Sequence, residues 1–376
     1  MNALARFGAE FRKLMLLFRA DPRAVASGII APTSLLVVFW ITFGNMAPLS
    51  VAVVDLDEGH MGAALAGHVL AQTSPASGEP YFVSPADDLD EAMSRYESGA
   101  IAGVVVIAPD FTHRVEARQS PSVDFHLNNY SSDMAKNLRL YLQEGIVAFY
   151  SAEYEGFDLE VDERFTIDSQ VDWMDLISIG VFSLAFLIGA MFSLLYLLFA
   201  ERSLGADRHY ALSPQSPWPF WAARLVVSLM LGALAAAVNG ALIWALTGLD
   251  VLALLPAVIG PMVLLAGIWM GLAALLALNA RALSGAAAIA MSAAVIAWFL
   301  GGGPSPVRYL GGAERALADA IPNTWALELA RSAAFGYPID GAGARYALLA
   351  ATLVVMMTAA SLAYRRTFAH RRRARR

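Results

Sequence analysis

The chain has 376 residues, 58% of them hydrophobic and 15% charged, with a formal net charge of −6, a mean hydropathy of +0.55 and no cysteine. An ordinary soluble domain carries about 25% charge, so a typical cytosolic enzyme is excluded, and so is a disordered chain. Absent thiols exclude disulfides, cysteine-ligated zinc and thiol catalysis.

In chain order, the first feature is a basic amphipathic helix over residues 1–24. Phe7, Phe11, Leu14 and Phe18 recur on one helical face, with Arg6, Arg12, Lys13 and Arg19 around it. Asp21-Pro22 ends or bends that helix. Such a helix is expected to lie in the cytoplasmic interface with its aromatics in the acyl boundary, membrane lipid being its partner. The first span is expected over 25–43, retained because it lies well inside the chain and lacks a small-residue cleavage site.

Residues 44–172 hold no spanning run. Strands are expected at Val51–Asp55, Tyr81–Val83, Ile101–Ile107 and Val123–Leu127, and helices at Met61–Leu70, Leu89–Ser98 and Asp133–Tyr154. Alternating strands and helices imply an inserted α/β extracytoplasmic domain with a small mixed or parallel sheet. It carries 22 acidic and six basic residues, a net charge of −16, which leaves +10 for the rest of the chain.

Five further apolar runs follow within 173–364, at Ile177–Leu198, Val226–Leu246, Val251–Leu278, Ser284–Leu300 and Tyr346–Ala363. Most reach the length a helix needs to cross the hydrocarbon layer; Ser284–Leu300 is the weakest and can be short, tilted or re-entrant. The fold class is thus a polytopic α-helical membrane protein of six transmembrane helices, divided one plus five by the α/β domain. Sixteen basic residues fall on the side of the N-terminus, including a basic tail over 365–376, whereas the outer loop 301–345 holds four. That asymmetry places both termini in the cytoplasm.

Several chemistries are missing. Neither lysine, Lys13 or Lys136, precedes Ser or Thr, so no phosphate-cradling G-x-x-x-x-G-K-[ST] loop exists. The histidines, His60, His68, His113, His126, His209 and His370, form no H-E-x-x-H pair. His60 and His68 lie near Asp55, Asp57 and Glu58, which reads as a solvated acidic turn rather than a cation site. No Ser has Gly at both −2 and +2, so a nucleophile elbow is absent. No catalytic, cofactor or metal residues are therefore expected. Asp175 and Asp250 sit at span ends, which speaks against an ion-driven carrier. Asn239 lies mid-span and either hydrogen-bonds across a helix interface or lines a pathway. Trp244, Trp269 and Trp298 suit interface anchoring or core packing.

The order of these parts resembles the ABC-2 permease family, the membrane subunits of type-2 ABC exporters. The resemblance rests on VAVVDLDEGH (Val51–His60), ESGAIAGVVVIAPDF (Glu97–Phe111), VDFHLNNYSS (Val123–Ser132), AERSLGADRHYALSPQSPWPFWAAR (Ala200–Arg224) and IPNTWALELAR (Ile321–Arg331). Gly59-His60 departs from the family's Ser-containing turn, and the tail Arg371–Arg376 has no family counterpart. Membership implies an exporter permease in the cell inner membrane that pairs with an identical or paralogous half. It implies cassette ATPase subunits that use ATP on another chain, room for a periplasmic adaptor, and no nucleic acid. The coupling loop is then 200–217, with Glu201, Arg202, Arg208, His209 and Tyr210 as the expected ATPase contacts; it is polar, and Pro214 and Pro217 stiffen it. The alternative is a membrane-anchored sensor or scaffold whose ectodomain binds a ligand or partner. Five spans after the ectodomain, rich in small residues such as Gly232, Gly240, Gly260, Gly267 and Gly271, exceed what anchoring requires. A membrane-embedded enzyme is disfavoured by the lack of a His, Asp or Glu cluster within spans.

Overall fold

Two compact units share the chain, one built from Met1–Asn45 and Phe165–Arg376, the other from Met46–Arg164. The structure, a computed structural model, describes residues 3–21, 23–43, 50–73, 80–83, 88–127, 132–154, 171, 173–206, 216–307, 310–336 and 338–373.

The smaller unit is an α/β/α sandwich. Its sheet has the order β2-β1-β3-β4, formed by β1 (Val51–Asp55), β2 (Phe82–Val83), β3 (Gly103–Ile107) and β4 (Val123–Leu127). β1 pairs in parallel with β2 and β3, whereas β4 is antiparallel, so of the two sheet types expected the mixed one is found. Because side chains alternate across a strand, the continuous apolar runs of β1 and β3 supply both faces. Val51, Val53, Val105 and Ile107 face one side with Leu65 and Val69 of α3 (His60–Leu70) and Leu138, Leu142 and Phe149 of α6 (Ser132–Glu153). Ala52, Val54, Val104 and Val106 face the other with Ala92 of α4 (Leu89–Glu97). One short helix, α5 (Phe111–Glu116), has no counterpart in the sequence reading; it packs Phe111 and Val115 into the first of these cores.

The Asp-x-Asp turn after β1 joins two of the quoted motifs in space. Asp57 accepts from the backbone N–H of Gly62 at 3.2 Å and of Thr112 at 3.2 Å, and from the Thr112 hydroxyl at 2.5 Å. One carboxylate thereby satisfies first-turn donors of both α3 and α5. Asp55 accepts from the Asp57 N–H at 3.0 Å, and burial raises its carboxyl above the ordinary range. Gly59 is explained as well: a Cβ there would lie 2.1 Å from the Thr112 hydroxyl, so a side chain at this position does not fit beside this threonine. Asp57→Ala should cost about 1–2 kcal/mol, as other cap losses do. Hydrogen exchange on the full chain checks it, as faster exchange at the Gly62 and Thr112 amides with that of the spans unchanged.

The larger unit is helical: α1 (Ala3–Ala20), α2 (Arg23–Phe43), α7 (Trp173–Ser203), α8 (Trp218–Thr247), α9 (Leu255–Asn279), α10 (Leu283–Leu300), α11 (Gly312–Asp319), α12 (Pro322–Phe335) and α13 (Ala342–Arg373). Among the described residues five helices are long and apolar enough to cross a membrane: α7, α8, α9, α10 and Ala342–Arg366 of α13. The apolar stretch of α2, Gly28–Thr42, is shorter. α7 is apolar all round and runs through the middle, with α2, α8, α9 and α10 packed on it. Small residues permit the close crossings. A Cβ on Gly28 would lie 3.1 Å from the Cα of Gly189, and one on Gly232 2.7 Å from the carbonyl oxygen of Phe186. Asn239 is buried, donates to the Ala235 carbonyl at 3.0 Å and accepts from Thr33 of α2 at 3.3 Å. It thus links α8 to α2. Of the tryptophans, Trp269 and Trp298 are core residues and Trp244 is exposed.

Residues 301–345 are more than a loop. α12 is docked into the bundle: Asn323 accepts from the Trp269 indole at 3.0 Å, and buried Arg331 donates to the carbonyls of Leu176, Gly302 and Gly303. Polar side chains at helical spacing hid this role, because their partners are backbone atoms of other elements.

Candidate coupling site

α7 stays helical through Ser203, so the expected loop 200–217 begins inside a helix. Arg208, His209, Tyr210 and Pro214 lie outside the described residues. Glu201 and Arg202, the other two expected contacts, are engaged within the fold. Being adjacent in a helix, they point about 100° apart, at different neighbours.

Glu201 is 4% exposed. One carboxylate oxygen accepts from Lys13 Nζ at 2.6 Å, the other from Arg224 Nε at 2.7 Å and Nη2 at 2.5 Å. Lys13 also holds Glu10 at 2.6 Å, and Arg224 approaches Glu10 at 3.4 Å. Two carboxylates and two cations thus form a neutral cluster joining α1, α7 and α8, with only Lys13 reaching water appreciably. Arg224 further donates to the Phe220 carbonyl at 2.5 Å, and its guanidinium lies 5.8 Å from the Tyr364 ring of α13, which stacks on Trp221. Tyr196 of α7 donates to Asp21 at 2.8 Å, tying the end of α1 to the same face of the bundle.

Arg202 turns to α9. It donates to the carbonyls of Ala277 at 2.6 Å and Ala280 at 2.9 Å, satisfying acceptors that the end of α9 leaves open. Its guanidinium also lies 5.2 Å from the Phe199 ring. The last turn of α7 therefore grips three other helices, α1, α8 and α9.

The apolar face of α1 packs on protein. Leu14 and Phe18 are buried against Leu197, Ala223, Val227 and Leu231, with Phe7 and Phe11 packed on the same cluster. As α1 advances from Lys13 to Asp21, its partner on α7 recedes from Glu201 to Tyr196, so the two run antiparallel. Helical periodicity announces an apolar face without saying whether lipid or protein covers it. Glu10, Lys13 and Arg224 were not expected as partners, but one signal was present. Glu10 sits three residues after Phe7 and four before Leu14, on the apolar stripe itself, where a lone carboxylate needs a cation.

Among the described residues no group of His, Cys, Asp or Glu could hold a metal ion. The family model described as ABC-2 family transporter protein matches residues 24–362. No curated protein and no solved structure matches the chain.

Proposed function

The chain belongs to the ABC-2 transporter family, and from that membership we propose that this multi-pass membrane protein is the permease of an ATP-driven exporter whose ATPase subunits, carrying the bound ATP, are separate chains. α2 completes a set of six spans, with both termini on the cytoplasmic side of the inner membrane. A second half, identical or paralogous, completes the translocation pathway, and the outer α/β unit is free to meet a periplasmic adaptor.

The observation that carries the coupling part of this reading is the double grip at Glu201 and Arg202. A force applied to the α7–α8 connection reaches α1 and α8 through the Glu201 cluster and α9 through the Arg202 cap. Arg208, His209 and Tyr210 are the residues that meet the ATPase, and Glu201 and Arg202 pass the movement on.

Co-expression with the cognate cassette ATPase should give a stable complex whose ATP turnover responds to substrate, and the permease alone should show none. Recovery of no such ATPase from native membranes would sink the reading. Arg202→Ala should leave the complex assembled yet abolish substrate stimulation of turnover. Stimulation equal to wild type would remove Arg202 from the coupling path.

A further inference from the structure

The α/β unit brings two phenols face to face. Tyr81 leads into β2 and Tyr141 stands midway along α6, both half-buried against the core that α3 and α6 cover. Their rings stack with centroids 4.4 Å apart and planes 21° from parallel. Burial, and after it the Tyr81 hydroxyl, push the Tyr141 phenol up to about 12, so the two hydroxyl groups are neighbours.

Stacked aromatic rings ordinarily contribute packing alone. Two phenols can do more, because each can lose an electron and a proton and leave spin on the ring carbons beside the hydroxyl. A carbon–carbon bond of about 1.5 Å between two such carbons holds the ring centroids about 4.3 Å apart, close to the separation already present. Coupling therefore needs the rings to turn out of their stack but not to travel. Tyr150 and Tyr154 also approach, at 5.5 Å, but they are one helical turn apart and a bond there would close only a local ring. The Tyr81–Tyr141 bond would instead secure the weakest strand of the sheet. β2 has two residues, and its approach is held by the Val51 N–H on the Tyr81 carbonyl at 3.0 Å and the Tyr81 N–H on the Gln72 carbonyl at 3.2 Å. With no cysteine in the chain, no disulfide can fasten it.

We propose that Tyr81 and Tyr141 form an oxidative cross-linking site that straps β2 to α6 when the unit meets hydrogen peroxide and a peroxidase-type one-electron oxidant. Each ring gives up one electron and its phenolic proton, and the two radicals join through the carbons ortho to their hydroxyls. The hydrogens displaced from those carbons leave as the hydroxyl protons are restored. Two C–H bonds thereby become one C–C bond, and the two electrons and two protons reduce one peroxide to two waters. The encounter with the oxidant rests on the proposed permease reading, which puts this unit outside the cytoplasm; the reactivity of the pair does not.

The purified full chain, treated with peroxidase and hydrogen peroxide, should gain dityrosine fluorescence and yield on digestion a cross-linked peptide that carries Tyr81 and Tyr141. Tyr81→Phe and Tyr141→Phe keep the stacked ring and should each abolish that peptide, whereas Tyr150→Phe should leave it. In the coupled chain, amide exchange at Phe82 and Val83 should slow at least about tenfold, with that of the spans unchanged. Cross-links only between chains or only at Tyr150–Tyr154 would overturn the inference, as would unchanged exchange at β2. In spheroplasts the same reagents should produce the same peptide, because the peroxidase cannot cross the membrane. Coupling in the purified chain but only in broken spheroplasts would sink the proposed orientation; no coupling in the purified chain would sink the cross-linking site alone.

Discussion

Arg224→Met is expected to destabilise the helical unit by roughly 3–5 kcal/mol, the usual cost of removing one partner from a buried ion pair. Arg224 is 1% exposed and faces two carboxylates that are each 5% exposed, so its loss leaves more negative charge than Lys13 alone can neutralise. Thermal unfolding of the detergent-solubilised full chain measures the effect. Adding Glu201→Gln to that variant should restore part of the loss, because the remaining Glu10–Lys13 pair is then balanced. Lys13→Met should cost less than Arg224→Met, since Lys13 is 36% exposed and its carboxylate partners keep Arg224. Unfolding of Arg224→Met at the wild-type temperature would show that the cluster contributes nothing to stability.

The second large effect belongs to Arg331. Its guanidinium donates to the Gly302 and Gly303 carbonyls at 2.6 Å each and to the Leu176 carbonyl at 2.8 Å and 3.2 Å. Hydrogen bonds to a charged group contribute about 1.5–3 kcal/mol each, and their loss is not additive, so Arg331→Met should cost about 3 kcal/mol or more. The turn it pins has no slack. A Cβ on Gly303 would lie 2.1 Å from the Trp298 ring, whose indole donates to the Gly180 carbonyl at 2.8 Å. Arg331→Lys should not rescue the loss, because a compact ammonium cannot reach carbonyls spread across a planar fork. Hydrogen exchange of the Gly302 and Gly303 amides separates the outcomes. Protection equal to wild type in Arg331→Met would remove the residue from that role.

Local signals carried far in this chain. β1 and β4 occupy the residues that their apolar patterns mark, and each long apolar run became a helix, although α9 starts at Leu255, inside its run, and α13 continues to Arg373. Those features depend on periodicity and composition, which act over a few residues. What the local signals left out shares one cause, a partner distant in sequence. The stripe Phe7, Phe11, Leu14 and Phe18 promised an apolar environment, but that α7 and α8 provide it depends on Leu197 and Val227. Glu201 and Arg202 read as part of a polar coupling loop, and their ties inside the bundle went unseen because Lys13, Arg224 and the end of α9 are invisible from residues 200–217. The stretch 301–345 looked like a loop because α12 gains its cover from α9 and α7, by way of Asn323 and Arg331.

The tie between Lys13 and Glu201 spans 188 residues, and that between Trp40 and Leu246 spans 206. At a synthesis rate of about 5–20 residues per second, α1 and α2 wait about 10–40 seconds before their permanent neighbours exist. Through that interval Glu10 and Lys13, three residues apart, have only each other among the members of the cluster. The local pair thus acts as a temporary cap, holding α1 neutral at that point until α8 arrives with the arginine that closes the site.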